Sequence, residues 1–294
     1  MRGLLLALAA YLIWGCFPLF FSLLSEVPAM EVLVNRIIWS FVATFLLLLL
    51  SGRLNGLAQI LKNRKTLCWL GLSSLLVSAN WLLFIWAVNT HRVLESSLGY
   101  FITPLFSLLL SRMVLKEAMH PLQAVAGLMA AAAVAFEMFS LGALPWISLL
   151  LALTFGLYGL IRKTLPVDGF NGLVVETMLI FPLAVAWLVW QKATGQTLQF
   201  GHDTAISLLL TASGIVTAIP LILFAAAAQR LDLSVVGFIM YINPAMQFLM
   251  AVFVLHEPYP PQRLITFAII FVAMLFFLAG LWCSIAKRRG LVHG

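Results

Sequence analysis

The chain of 294 residues is 63% hydrophobic and only 9% charged, with a mean hydropathy of +1.09 and a formal net charge of +7. A water-soluble domain carries about 25% charged residues, so a soluble enzyme, a disordered protein and a nucleic-acid module are excluded. What is left is an all-α polytopic membrane protein, whose pI of 9.7 need not mean an anionic partner, because cytoplasmic loops concentrate Lys and Arg. A crossing helix needs roughly 20 apolar residues. Ten such runs occur, near 4–24, 32–51, 67–88, 94–111, 121–138, 144–161, 172–190, 204–227, 234–254 and 264–285. The first opens like a secretory signal, yet it stays apolar through Trp14 and Phe21 to Leu24, too long for a cleaved segment, and it is read as a span.

Basic residues orient the spans. With the amino terminus inside, thirteen Lys and Arg fall on the cytoplasmic side: Arg2, Arg53, Lys62, Arg64, Lys65, Arg112, Lys116, Arg162, Lys163, Arg230, Lys287, Arg288 and Arg289. Three fall outside, Arg92, Lys192 and Arg263, while Arg36 lies within a span. This positive-inside bias puts both termini in the cytoplasm. Nine spans would scramble it. Cys16, Cys68 and Cys283 lie far apart without ligand spacing and are expected as small buried residues, with no disulfide and no metal.

The chain repeats itself at a constant offset of 140 residues. Phe84 meets Phe224, Ala87 meets Ala227, Pro104 meets Pro244, Val114-Leu115 meets Val254-Leu255, Glu117 meets Glu257, Pro121 meets Pro261 and Phe136 meets Phe276. Five spans per half means that the second half, 141–294, enters the membrane from the side opposite to the first, 1–140. Inverted repeats of this kind are characteristic of secondary transporters, which bind substrate between the halves near the midplane.

The run Tyr100-Phe101-Ile102-Thr103-Pro104-Leu105, then Val114-Leu115-Lys116-Glu117 and Pro121-Leu122-Gln123, resembles the EamA branch of the drug/metabolite transporter superfamily. Trp14-Gly15 with Pro18, and Asn35-Arg36 with Trp39, make it similar to the RarD-type permeases within that branch. The resemblance covers almost the whole chain. It implies ten helices in two inverted five-helix halves around a central cavity, moving a small organic metabolite or drug-like solute across a bacterial inner membrane. In the second half, His256-Glu257-Pro258 surrounds the acid and Phe267 stands where the first half has Gly127, which leaves the equivalence of Glu257 and Glu117 open.

Arg36 sits about 7–8 Å below the outer end of the second span. At that depth an Arg is disfavoured unless it snorkels or finds a partner. It is expected either to attract a carboxylate or phosphate at the cavity mouth or to snorkel with help from Glu31. Glu176, 140 residues later, is either a proton carrier or cation site, or a helix-start residue favoured by the macrodipole. Glu95, at the start of span four, is the other candidate proton carrier. Ser96, Tyr100 and Thr103 share one side of span four, ending at Pro104. Tyr241, Asn243 and Gln247 surround Pro244 in span nine. The two stripes are read as a binding site at kinked helices, or as interhelical hydrogen-bonding glue. Asn80 and Trp81, with Trp14 and Trp86, offer an amide and aromatic walls, or ordinary interfacial belt residues. Glu117 and Glu257 are read as structural, fixing their hairpins through backbone or helix-N-terminus contacts.

No phosphate loop and no His-Glu-x-x-His motif occurs, and His91, His120, His202, His256 and His293 fall in loops or at span ends. No cofactor, metal or nucleic-acid partner is expected, and no enzyme activity; solute and bilayer are the partners. The alternative class is a non-transporting membrane protein, either an intramembrane enzyme or an anchoring partner.

Overall fold

A computed structural model describes residues 2–52, 54–114, 116, 120–142, 144–228 and 239–288. Glu117, Arg53, Arg230 and Arg289 lie outside the described residues, as do the side chains of Arg2, Lys287 and Arg288. The described chain is helical: α1 (Arg2–Gly15), α2 (Phe17–Ser22), α3 (Ala29–Ser51), α4 (Leu54–Lys62), α5 (Arg64–Asn89), α6 (Val93–Val114), α7 (Pro121–Leu141), α8 (Trp146–Thr164), α9 (Gly169–Ala193), α10 (Thr204–Ala228), α11 (Ile242–Leu249) and α12 (Pro261–Arg288). A π-helical turn, Met250–Val254, continues α11. Among the described residues nine helices are long and apolar enough to cross a membrane, α1 and α2 counting as one. The tenth span, expected at 234–254, is described from residue 239 onward.

Local chemistry sets the helix ends. The Asn63 side chain accepts from the Thr66 amide at 3.1 Å, and Asp168 accepts from the amides of Phe170 and Asn171, so each satisfies orphan N–H groups of a first turn. His120 and Gln123 close a reciprocal capping box at the start of α7. Gly52 and Gly142 stop α3 and α7 in the left-handed conformation. Helix α4 was not expected from the sequence. It is a short amphipathic segment in the loop after span two, with Leu57 buried in a cluster that includes Leu48, Leu70 and Val174.

The 140-residue offset is written into the backbone. Helices α3 and α9 begin at 29 and 169, α5 and α10 at 64 and 204, α7 and α12 at 121 and 261. Helix α6 ends at Val114 and the π turn at Val254. Two of the three non-glycine residues with positive φ among those described, Lys116 (55°) and His256 (50°), are also 140 apart. Helix packing follows the same exchange. Helices α3 and α9, α6 and α11, and α7 and α12 each touch their own counterpart. The remaining large contacts come in exchanged couples: α1–α10 with α8–α5, α6–α8 with α11–α1, and α3–α10 with α9–α5.

Loop contacts show which ends share a side. The Asn89 side chain donates to the Val27 carbonyl, Glu31 accepts from the Phe200 amide, Glu257 binds the start of α6, and Trp86 packs on Trp146. These contacts gather the loops after spans one, three, five, seven and nine at one end. Gly56 meets Asn171 at the other. The described helices thus run alternately between the two ends. The expectation of buried cysteines fails, because Cys16, Cys68 and Cys283 are all exposed on the helix surfaces. A thiol is apolar enough to face hydrocarbon, so burial in protein gains it little.

Candidate substrate site

Arg36 lies about 10 Å along α3 from Ala29 at 1.5 Å per residue. It is 3% exposed, and neither its Nε nor its Nη1 has a hydrogen-bond partner. Its guanidinium carbon stands 4.4 Å from the centroid of Trp81, 5.1 Å from Phe21 and 5.5 Å from Phe17. Such contacts offset part of the desolvation of a cation, but they supply neither a counter-charge nor acceptors. No carboxylate pairs with it among the described residues. Snorkelling assisted by Glu31 does not occur: the Glu31 carboxylate accepts from the Phe200 amide at 2.9 Å, and Arg36 stays inside.

Beside this cation runs a satisfied polar group. The Tyr100 hydroxyl donates to Asn80 Oδ1 at 3.1 Å, and Asn80 Nδ2 donates to Thr154 Oγ1 and to the Leu151 carbonyl of α8. Trp81, Asn80, Tyr100 and Arg36 are thereby brought together between α3, α5, α6 and α8. The remaining polar candidates of α6 turn elsewhere. Ser96 donates to the Val93 carbonyl and, at 3.3 Å, to Gln247 Oε1, whose amide nitrogen donates to Asn243 Oδ1. Ser97 donates to the Pro244 carbonyl at 2.8 Å, tying α6 to the start of α11. Thr103 donates back to the Gly99 carbonyl within its own helix, one turn before Pro104.

Trp14 and Tyr241 belong to other clusters. Trp14 packs on Tyr11 and Phe224, whereas Tyr241 lies between Phe101 and Phe277 with its hydroxyl unpaired. Glu95 sits in the first turn of α6, 3.8 Å from Arg92 and 4.0 Å from Arg263. Arg263 Nε also donates to Glu137 Oε1 at 3.1 Å, and Glu137 is almost fully buried. Sequence reasoning missed Glu137. A lone acid in the last turns of an apolar span was the available signal.

Glu176 is 1% exposed. It accepts from the Ser73 hydroxyl at 2.6 Å and the Tyr158 hydroxyl at 3.3 Å, and Arg162 Nε approaches its Oε1 to 3.7 Å. Arg162 Nη2 donates to the Asp168 carbonyl, and the guanidinium rests where a Cβ on Gly172 would stand. The helix-start alternative for Glu176 does not hold, because Asp168 caps α9. Ser73, Tyr158 and Arg162 complete a buried cluster joining α5, α8 and α9 that no motif announced.

Glu257 accepts from the backbone amides of Val93 at 2.6 Å and Leu94 at 2.9 Å, a carboxylate gripping the N-terminus of α6. Burial pushes this carboxyl upward, and the two amides, with His91 and Arg263, pull against that shift. The structural reading of Glu257 has its geometry here.

Nine described helices long and apolar enough to cross a membrane, with polar side chains buried among rings, are the architecture of a polytopic membrane protein. The chain belongs to the EamA-like transporter family, which matches it over residues 1–139, and to the RarD-type members of that family. It is 42% identical to an uncharacterized transporter of Pseudomonas aeruginosa over 97% of this chain and 96% of that one. Protein RarD of Escherichia coli is 42% identical, and that of Salmonella typhi 44%, each over 94% of both chains. A crystal structure with 16% identity shares the fold, covering 97% of this chain and 98% of its own at a TM-score of 0.63.

Proposed function

We propose that the chain is a secondary carrier of the bacterial cytoplasmic membrane, moving a small organic solute by alternating access between the halves 1–140 and 141–294. Both termini face the cytoplasm in this reading, which rests on the thirteen-to-three distribution of basic residues. The observation that carries the proposal is Arg36, a buried cation without a counter-ion among the described residues. A buried charge lacking a partner is strongly disfavoured, and an anionic solute would supply what the protein withholds. Trp81, Asn80 and Tyr100 form the adjoining wall. Ser96, Gln247 and Asn243 form a second polar group at the α6–α11 crossing, where Pro104 and Pro244 allow bending. Trp14, Tyr241 and Thr103 support these walls from neighbouring clusters.

Glu176 is the proposed proton carrier, because its hydrogen-bond donors accommodate the carboxylate and release of Arg162 would free it to take up a proton. Glu95 closes the outer end with Arg92 and Arg263 rather than reaching the interior. Flux in proteoliposomes tests the proposal. Arg36→Ala should abolish saturable uptake of the transported solute while the protein still unfolds cooperatively, and Glu176→Gln should remove the dependence on a pH gradient. Flux unchanged in Arg36→Ala would sink the assignment of the site.

A further inference from the structure

Between α1–α2 and α10 lies a crevice of about 330 Å³ lined by Leu12, Ile13, Cys16, Phe17, Phe20 and Val216. That volume is at the lower end of the roughly 300–1,000 Å³ typical of small-molecule pockets. Its lining is almost entirely carbon, and Leu12 and Cys16 are exposed, so the crevice opens sideways on the hydrocarbon-facing surface. Phe17 belongs to two places at once. It walls the crevice, and it stands over the Arg36 guanidinium together with Phe21. Phe17 thus separates a cation without a counter-ion among the described residues from an apolar, membrane-open slot, and displacement of that ring would join them into a two-part recognition surface, polar at one end and oily at the other.

Resting on the reading of Arg36 as the anion site, we infer that the solute is an amphipathic monocarboxylate whose apolar tail occupies the crevice between α1–α2 and α10. The single positive charge matches one carboxylate. A phosphate ester, with close to two charges, would leave charge unmatched. The tail then lies against Phe17, Phe20 and Val216, and the sideways opening lets it slide out of the bilayer without crossing water. Bilayer lipid would fill the same slot but places its own head group at the membrane surface, away from a residue one and a half turns or more inside α3.

The test uses the full chain carrying Cys68→Ser and Cys283→Ser, in phosphatidylcholine nanodiscs, so that Cys16 is the remaining thiol. The probes are butyrate, octanoate, decanoate and, as a cation with the same tail, decyltrimethylammonium. Affinity should rise about fourfold for each added CH₂. Decanoate at about ten times its Kd should slow maleimide modification of Cys16 about tenfold. Decyltrimethylammonium should give no protection, and Arg36→Gln should abolish that given by decanoate. Val216→Trp, which fills the crevice and leaves Arg36 untouched, should weaken decanoate to the level of butyrate. Equal binding of butyrate and decanoate, both lost in Arg36→Gln with Cys16 unprotected, would overturn the tail assignment while the anion site stands. Protection that survives Arg36→Gln, or that the cation gives equally, would overturn the inference in favour of a lipid-filled crevice. Carboxylate binding that is unaffected by Arg36→Gln would overturn the anion site itself.

Discussion

Among the described residues, Arg36 is stabilised by three rings and by nothing with a negative charge. Replacing it by a residue of similar length and no charge should therefore make the protein sturdier and idle. Arg36→Met is expected to raise stability by on the order of 1–4 kcal/mol, seen as a higher midpoint of thermal unfolding in detergent, with loss of solute flux. A fall in the midpoint would show that the guanidinium has a structural partner after all. Glu176 is the opposite case, since its oxygens are all engaged. Glu176→Gln strands Arg162, which is partly exposed, and should cost about 2–3 kcal/mol. Adding Arg162→Met to that variant should recover most of the loss in the same unfolding measurement, because the stranded charge goes with it. Arg36 was legible in the sequence as a charge out of place in an apolar run. The clusters around Glu176 and Glu137 were not, because Ser73 and Arg263 lie 103 and 126 residues away from them, Tyr158 lies 18 from Glu176 across a helix boundary, and no spacing rule connects them.

At the scale of elements, the sequence pattern located nearly every span. Helix α3 begins at Ala29 rather than at 32 because Pro28 starts the turn before the apolar run does. Helix α4 escaped notice because nine residues with alternating polarity carry too little hydrophobic signal to register as a span. The polar stripe of α6 was seen as one face, yet its members serve different neighbours. Tyr100 goes to α5, Ser96 and Ser97 go to α11, and Thr103 goes to its own backbone. Periodicity gives a direction from the helix axis, not the identity of what stands there. The N-terminus of α6 owes its two satisfied amides to Glu257, which lies 164 residues away from Val93. Glu257→Ala should leave those amides unpaired and cost about 1–3 kcal/mol. Hydrogen exchange should accelerate at Val93 and Leu94 more than at the middle of the helix. Unchanged protection there would mean that water substitutes for the carboxylate.

For the whole molecule, the matched helix starts and the exchanged helix contacts express the repeat that Pro104/Pro244 and Pro121/Pro261 signalled in the sequence. The topology yields a direct check. Single cysteines replacing His91 and Tyr259, in a chain otherwise free of cysteine, should react with an impermeant maleimide from outside intact cells. One replacing Asn63 should react only after the membrane is permeabilised. Asn63 reacting together with His91 would rule out the inverted arrangement. The closed interior around Arg36 was the part least open to sequence reasoning. Which rings surround a charge depends on side chains from three helices, and composition alone says only that rings are plentiful.

The wide π turn at Met250–Val254 has no partner at the end of α6, which remains an ordinary helix to Val114. A carrier built from two perfect mirror-exchanged copies would have no preference between its end states. Here one of the two corresponding helix ends carries surplus backbone per turn and the other does not, so in the proposed cycle exchanging the roles of the halves would not return the same energy. In a carrier of the proposed kind, such asymmetry would favour one end state before any solute arrives.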